Sequence, residues 1–148
     1  MADENWDIAL VQCVSEKLEY PAKARDLYIS SWFAKASAYA ICVSKDWRIL
    51  SAEYGLAHPD QVIAPYDKTL NDMPIRERRL WAAGVISELQ RVVRKVDRVL
   101  ILAGVKYREF LLGSLYEFGS SVAVPMEGMK IGEQLQWLNK QLALCHAR

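Results

Sequence analysis

The stretch DIALVQCV, residues 7–14, is almost continuously apolar over the length of one β-strand. A run of this kind is typical of a strand in a parallel sheet that helices cover on both faces, because polar and apolar residues alternate only where one face meets water. The stretch therefore predicts the central strand of an α/β domain.

The rest of the chain alternates strands with helices. Three further strands are predicted at residues 47–52, 96–103 and 122–125, and helices at 28–43, 74–94, 108–118 and 131–146. Since strands that alternate with helices form parallel sheets with right-handed crossovers, the pattern predicts a three-layer α/β/α fold with a central four-stranded parallel sheet. A length of 148 residues fits a single domain spanning residues 1–148.

Composition narrows the function classes. The net charge is +1, so no field of the whole protein would draw it to nucleic acid or to an anionic membrane, and no apolar run is long enough for a spanning helix.

Cys13, Cys42 and Cys145 lie far apart without metal-ligand spacing, which predicts neither a zinc site nor a disulfide framework, and Cys42 is predicted to pack as a small hydrophobic residue. No Walker or Rossmann fingerprint occurs, so no cofactor and no metal is predicted. The expected location is cytoplasmic, without a membrane partner.

The carboxyl ends of four parallel strands share one edge of a sheet, and ligands of open α/β sheets bind there. The residues at these four predicted ends are the candidates for a site. The candidates for substrate binding are Cys13, Lys17, Tyr28, Ser51, Tyr54, Gly55, Tyr66, Gly104, Tyr107 and Gly128.

Two carboxylates are candidates for catalysis. Asp67 follows Pro65 and Tyr66 in the long loop after the second strand, and Glu127 follows the fourth strand. Carboxylates from two strand ends can share the work of glycoside cleavage, one stabilising an oxocarbenium-like centre and the other activating water. The alternatives are that Asp67 organises its loop through backbone amides and that Glu127 is a solvated loop charge.

The tyrosines and the cations suggest a nucleic-acid ligand. Tyrosine rings can stack on bases, at about 1 to 3 kcal/mol per base, although each is also an ordinary half-buried packing residue. Lys17 and Arg25 lie in the first loop, and Arg76 and Arg79 belong to a locally basic helix; all are candidates for phosphate contact. For the helix, the alternative is a solvated outer face. Cys13 is a candidate for the floor of the crevice rather than for a nucleophile.

Several motifs in the same order resemble a family of uncharacterised bacterial, archaeal and phage domains. These are Cys13-x-x-x-Lys17, the run Ile49-Leu50-Ser51-Ala52-x-Tyr54-Gly55-Leu56, Ile63-x-Pro65-Tyr66-Asp67, Gly104-x-x-Tyr107 and Pro125-x-x-Gly128. That family distantly resembles the peroxide-stress YaaA family and, by analogy of fold, uracil-DNA-glycosylase-like domains. The resemblance implies a DNA-binding protein of the stress response, but the catalytic motifs of uracil-DNA glycosylases are missing from this chain.

Two functions are therefore expected. The first is a protein acting on nucleic acid or nucleotides, most specifically a hydrolase that cleaves the N-glycosidic bond of a modified or damaged base, in DNA rather than RNA. The second is a non-catalytic module that binds DNA or a nucleotide. The sequence does not specify the base or the oligomeric state.

Overall fold

The computed structural model describes residues 6–94 and 97–147 as seven strands, six α-helices and one 3₁₀ turn. The strands are β1 (Trp6–Gln12), β2 (Ala22–Lys23), β3 (Ser44–Ser51), β4 (Gly55–Ala57), β5 (Val62–Ile63), β6 (Arg98–Leu102) and β7 (Ser121–Ala123). The helices are α1 (Ala24–Leu27), α2 (Ser31–Val43), α3 (Ile75–Val92), α4 (Val105–Arg108), α5 (Leu112–Glu117) and α6 (Ile131–His146), and the 3₁₀ turn is Leu70–Asp72.

The central sheet has five strands in the order β4-β3-β1-β6-β7. Strands β3, β1, β6 and β7 are mutually parallel, as predicted, but β4 pairs with β3 in the antiparallel direction. The prediction of a purely parallel, four-stranded sheet is therefore wrong. Strand β1 is the central strand: Ala9, Leu10 and Val11 are fully buried, which agrees with the apolar run that predicted it.

The fifth strand exists because the chain reverses directly after Ser51. The backbone N–H of Tyr54 donates to Oγ of Ser51 at 3.0 Å, and Gly55 adopts a φ of 70°, a conformation that favours glycine. Glu88 of α3 then accepts from the backbone N–H of Leu56 at 3.2 Å. A Cβ on residue 55 would lie 2.8 Å from the same carboxylate oxygen. Gly55 thus serves this hairpin turn.

Helices cover both faces of the sheet. The connection from β1 to β3 contains α2, and the connection from β4 to β6 contains α3 and runs in the opposite direction along the sheet. Right-handed crossovers place these two helices on opposite faces. The last helix, α6, packs against α2, while α3 contacts α4. No helix of the described ranges is both long and apolar enough to cross a bilayer.

Several predicted boundaries change. Helix α2 begins at Ser31 rather than at Tyr28, because the side chain of Ser30 accepts from the N–H of Phe33 at 3.0 Å and caps it. The helix predicted at residues 108–118 is divided into α4 and α5. Strand β6 begins at Arg98. The strand was predicted to begin at Val96, and Lys95 was the last cation of the basic stretch before it; both residues lie outside the described residues.

Cys42 and Cys145 form a disulfide, contrary to the prediction from their spacing. The side chain of Cys42 is exposed on α2, and Cys145 lies near the end of α6. The pairing arises because α2 and α6 pack together, which brings positions 103 residues apart to a Cα–Cα distance of 6.4 Å. Cys42 is therefore not the buried small hydrophobic residue that the apolar pattern predicted. Cys13 is the buried free thiol among the described residues.

Candidate functional site

A cleft of about 850 Å³ opens at the carboxyl ends of β1 and β6. Strand β1 connects to β3 on one side and the chain later returns to β6 on the other, so the cleft lies where the strand order reverses. Its walls come from the segment that follows β1, the loop before α3 and the first turns of α2 and α6. A volume of this size is in the usual range for a small-molecule site.

Lys17 projects into this cleft. Its amino group lies 4.3 Å from the centre of the Tyr66 ring and donates to the carbonyl of Ser15 at 3.3 Å. Among the described residues no carboxylate lies within 4.0 Å of this amine. Partial burial lowers the pKa of Lys17, an effect that the neighbouring Cys13 and Asp67 oppose. The cleft therefore holds a partly buried cation with no carboxylate within 4.0 Å among the described residues.

The floor of the cleft is formed by Cys13 and Tyr107, which are each only 3% exposed. The Cys13 thiol donates to the Tyr107 hydroxyl at a distance of 3.7 Å. The same hydroxyl accepts from the backbone N–H of Leu70 at 3.2 Å and lies 3.4 Å from Oγ1 of Thr69. Burial raises the pKa of Tyr107. This hydroxyl therefore ties the loop before α3 to the end of β1 and is not free to ionise near neutral pH.

Behind Lys17 lies a buried hydroxyl cluster of Tyr28, Ser51 and Tyr66. The Tyr66 hydroxyl is 2.8 Å from the Tyr28 hydroxyl and 2.9 Å from Oγ of Ser51. Burial raises the pKa of Tyr28 to about 12 and raises the pKa of Tyr66 as well. These side chains do not line the cleft. They fix the Tyr66 ring beneath the amine of Lys17.

The two candidate carboxylates differ in their relation to the cleft. Asp67 lines the cleft and is exposed at its edge. Glu127 is not among the described residues that line the cleft; its carboxylate lies 3.7 Å from the guanidinium of Arg108 and its side chain is 69% exposed. Arg108 itself is buried and donates to the carbonyl of Ala103 at 2.7 Å. Glu127 therefore lies beside a residue that holds the end of β6.

The remaining predicted residues are divided between the cleft and its surroundings. Gly104 lines the cleft, and its N–H donates to the side chain of Gln12 at 2.7 Å. Tyr54 packs edge-on against Tyr66, and its hydroxyl accepts from the N–H of Ala64 at 3.2 Å. Neither of these contacts involves a described residue of the cleft lining. The predicted residues outside the cleft lining are Tyr28, Ser51, Tyr54, Gly55, Tyr66, Gly128, Glu127, Arg25, Arg76 and Arg79.

The three candidate arginines lie elsewhere on the surface. Arg25 pairs with Asp60 at 2.8 Å, and the guanidinium of Arg79 lies 4.8 Å from the centre of the Phe110 ring. Arg76 is exposed in the first turn of α3. Phosphate contact by these residues stays a prediction, since none of them lines the cleft.

Sequence reasoning missed one wall of the cleft. Trp32 was not among the predicted site residues, but its half-buried ring lines the cleft and its Nε1–H donates to Oε1 of Gln134 at 2.8 Å. Gln134 lies in the second turn of α6. The available signal was topological: both helices follow parallel strands, so their first turns start at the edge where those strands end. No group of three or more His, Cys, Asp or Glu side chains in the described part of the chain is arranged to hold a metal ion.

Comparison with known proteins assigns the chain to a family. Residues 8–140 match the family of unknown function DUF6884. The chain belongs to this family. It is also similar to the uncharacterized protein YfjM of Bacillus subtilis (strain 168), with 29% identity over 133 residues that cover 85% of this chain and 84% of YfjM. No solved structure gave a significant match.

The DUF6884 match runs from β1 into α6. It therefore includes every residue of the cleft described above, from Gln12 to Leu135. The predicted membership in an uncharacterised family is confirmed, whereas neither match names YaaA or a uracil-DNA glycosylase. That finer resemblance stays a prediction.

Proposed function

We propose that this DUF6884 protein binds a nucleotide in the cleft, either free or as one residue of a nucleic acid, and hydrolyses its N-glycosidic bond. The observation that carries the proposal is the position of Lys17, whose amine has no carboxylate partner within 4.0 Å among the described residues and lies in a cleft of nucleotide size. A cation without a partner in such a site favours an anionic ligand, and phosphate is the charged group that nucleotides carry.

The other walls are compatible with the remaining parts of a nucleotide. Thr69, Asn71 and Gln12 line the cleft and can bond sugar hydroxyls, whereas Trp32 and Leu135 are apolar. Asp67 lies at the edge of the same cleft, and its charge raises the pKa of the Lys17 amine although the two groups form no ion pair within 4.0 Å. In the proposed reaction Asp67 accepts a proton from water as the water oxygen bonds to the sugar carbon. The bond from that carbon to the base nitrogen breaks, its electron pair leaves with the base, and the base takes a proton from solvent. Glu127 takes no part.

A second function, binding without catalysis, is favoured by the exposure of Asp67 and by the position of Glu127 outside the cleft. A glycosidase normally uses two carboxylates, and of the pair predicted from the sequence Asp67 alone is among the described residues that line the cleft. The second function keeps Lys17 and the cleft in the same roles.

Release of free base from a panel of modified DNA, tRNA and mononucleotides tests the first function. We expect the Asp67→Asn variant to lose about 10²-fold or more in turnover while it retains affinity, because a general base contributes that much to rate and little to binding. The matched control is Glu127→Gln, which removes a charge outside the cleft and should leave turnover unchanged.

Three results discriminate the two functions. Binding without base release supports the non-catalytic module. Base release that is equally sensitive to Asp67→Asn and Glu127→Gln contradicts the proposed role of Asp67 alone. If no member of the panel binds at low salt, where phosphate contacts are strongest, both functions are wrong.

A cytoplasmic location and a role in the stress response belong to this proposal. The suggested relationship to YaaA and to uracil-DNA-glycosylase-like domains would fit it, but it adds no support, since no comparison found it. Disulfides are uncommon in reducing compartments. In a cytoplasmic protein, the Cys42–Cys145 pair is therefore expected to form and break with the redox state.

A further inference from the structure

We propose that Trp32, held in place by Gln134, is the surface on which the planar ring of a nucleobase stacks. This inference rests on the proposed function and deepens it, because it names the part of the ligand that the cleft recognises. Lys17 accounts for an anionic group, but it does not select a nucleotide over any other phosphate.

The Trp32 ring is fixed by a chain of two hydrogen bonds. Its Nε1–H donates to Oε1 of Gln134 at 2.8 Å, and Nε2 of Gln134 donates to the carbonyl of Met129 at 3.0 Å. Both polar atoms of the glutamine side chain are thus used, so the amide cannot rotate without losing one of these bonds. Trp32 is on α2 and Gln134 on α6, and the bond joins the two helices across one wall of the cleft.

What remains of Trp32 for a ligand is its apolar surface. The polar edge of the indole is already bonded to Gln134, and the ring is half-buried in the cleft wall. A rigid aromatic ring loses little entropy when a flat ligand packs on it, and it tolerates any base because every base has a π-face.

The other aromatic rings near the cleft are not available for stacking. Tyr28 and Tyr107 are each 3% exposed, and their hydroxyls are bonded within the protein. Lys17 lies over the ring of Tyr66. Trp32 and Tyr107 are the aromatic side chains among the described lining residues, and Trp32 is the one with substantial accessible surface.

Paired probes with and without a base test this inference. We would measure the Kd of the intact protein for the four common nucleoside 5′-monophosphates and for ribose 5-phosphate. Trp32→Leu should weaken binding of the nucleotides by about 5- to 150-fold, the range for loss of one stacked base, and leave ribose 5-phosphate unchanged. Trp32→Phe, which keeps a ring, should recover most of the affinity.

Two further variants separate stacking from folding. Trp137 packs edge-on against Tyr39 at 5.2 Å between the same two helices but does not line the cleft, so Trp137→Leu is the matched control and should not change the Kd values. Gln134→Leu removes the hydrogen bond that fixes the ring of Trp32, and should weaken binding of the nucleotides while leaving ribose 5-phosphate unchanged. This variant provides the test if Trp32→Leu does not fold.

The source of the base is resolved by a second pair of probes. A DNA duplex with one unpaired base and the same duplex with an abasic site at that position report on a base within nucleic acid, whereas the monophosphates report on a free nucleotide. A loss of affinity in Trp32→Leu for either the duplex with the unpaired base or the nucleoside monophosphates supports the inference.

The outcomes for the two proposals differ. If nucleotides bind but Trp32→Leu leaves their Kd unchanged, or weakens ribose 5-phosphate equally, stacking on Trp32 is wrong and the proposed function stands. If neither nucleotides nor DNA bind to the wild-type protein, the proposed function is wrong and this inference is wrong with it.

Discussion

The hydroxyl of Tyr66 lies 2.9 Å from Oγ of Ser51, a side chain that is fully buried at the end of β3. Oγ of Ser51 also accepts from the N–H of Tyr54, and the carbonyl of Ser51 accepts from the indole N–H of Trp81 at 2.9 Å. One serine thus joins the β3–β4 turn, the loop that carries Asp67, and helix α3. The motif that contains Ser51, residues 49–56, therefore positions the loop and helix around the cleft, although none of its residues lines the cleft.

Replacing Ser51 should therefore affect stability before it affects the cleft. We expect Ser51→Ala to lower the free energy of unfolding by about 1 to 3 kcal/mol, because the Tyr54 N–H and the Tyr66 hydroxyl both lose a partner in a partly buried place. Urea denaturation measures this value. In a double-mutant cycle with Tyr66→Phe the two effects should be less than additive, since both variants break the same bond. Full additivity would contradict a shared hydrogen bond.

The buried hydroxyl cluster predicts a loss of stability at high pH. Burial raises the pKa of Tyr28 from 10.0 to about 12 and raises the pKa values of Tyr66 and Tyr107. The neutral form is favoured in the folded state, so this contribution is present below pH 10 and is lost as the pH rises through about 12. For Tyr28 alone the shift corresponds to about 2 to 3 kcal/mol.

Ultraviolet absorbance of tyrosinate and circular dichroism, followed together from pH 9 to 12.5, provide the measurement. A late phase of ionisation should coincide with unfolding, and Tyr28→Phe should reduce its amplitude. Ionisation of all tyrosines near pH 10 in a protein that stays folded would show that the hydroxyls are not buried as described.

Local patterns predicted the parallel part of the sheet because those patterns record burial. The apolar run at residues 7–14 could be read as a central strand, and Ala9, Leu10 and Val11 are indeed fully buried in β1. Helix α6, at residues 131–146, was also predicted correctly, since helical periodicity is a local property. Cys13, Lys17 and Asp67 reach the cleft because strand ends converge, which follows from the topology alone.

The errors arise where the outcome depends on contacts between distant residues. The reversal of the chain at Gly55 is supported by Glu88, 33 positions later in the sequence, and local patterns did not predict it. The disulfide depends on the packing of α2 against α6. The pairing of Glu127 with Asp67 stays a prediction; Glu127 lies beside the buried Arg108 and is not among the described residues that line the cleft. Trp32 was not predicted as a site residue, because a cleft wall and a core face show the same helical spacing.

Lys17 should make the affinity for a phosphate ligand depend on pH. Its lowered pKa means that the amine loses its charge at a pH below the 10.5 of an ordinary lysine. We therefore expect the affinity for a nucleoside 5′-monophosphate to fall as the pH rises from 7.5 to 10, where the charge of the phosphate itself is constant. Lys17→Arg should remove this dependence, because arginine stays charged.

Lys17→Met should weaken binding of the same nucleotide at pH 7.5 by about 10- to 100-fold, as expected for loss of a charge-assisted hydrogen bond. Lys45→Met is the control, because Lys45 pairs with Asp7 near the opposite end of β1 and does not line the cleft. Equal losses in both variants would indicate a general charge effect rather than a phosphate contact by Lys17.

Reduction of the Cys42–Cys145 disulfide should destabilise the protein and loosen α6. The bond closes a loop of 103 residues, and cross-linking a loop of this length restricts the unfolded chain by up to about 4.7 kcal/mol. We expect dithiothreitol to lower the midpoint of thermal unfolding of the wild-type protein, and Cys42→Ser to lower it to the same value. Dithiothreitol should then have no further effect on Cys42→Ser, which still contains the buried thiol of Cys13.

Because Gln134 is on the same helix, hydrogen exchange should increase most along α6 and α2, while β1 and β6 stay protected. A wild-type protein whose unfolding does not respond to reductant would contradict the disulfide, and a response that persists in Cys42→Ser would assign the redox effect to Cys13 instead.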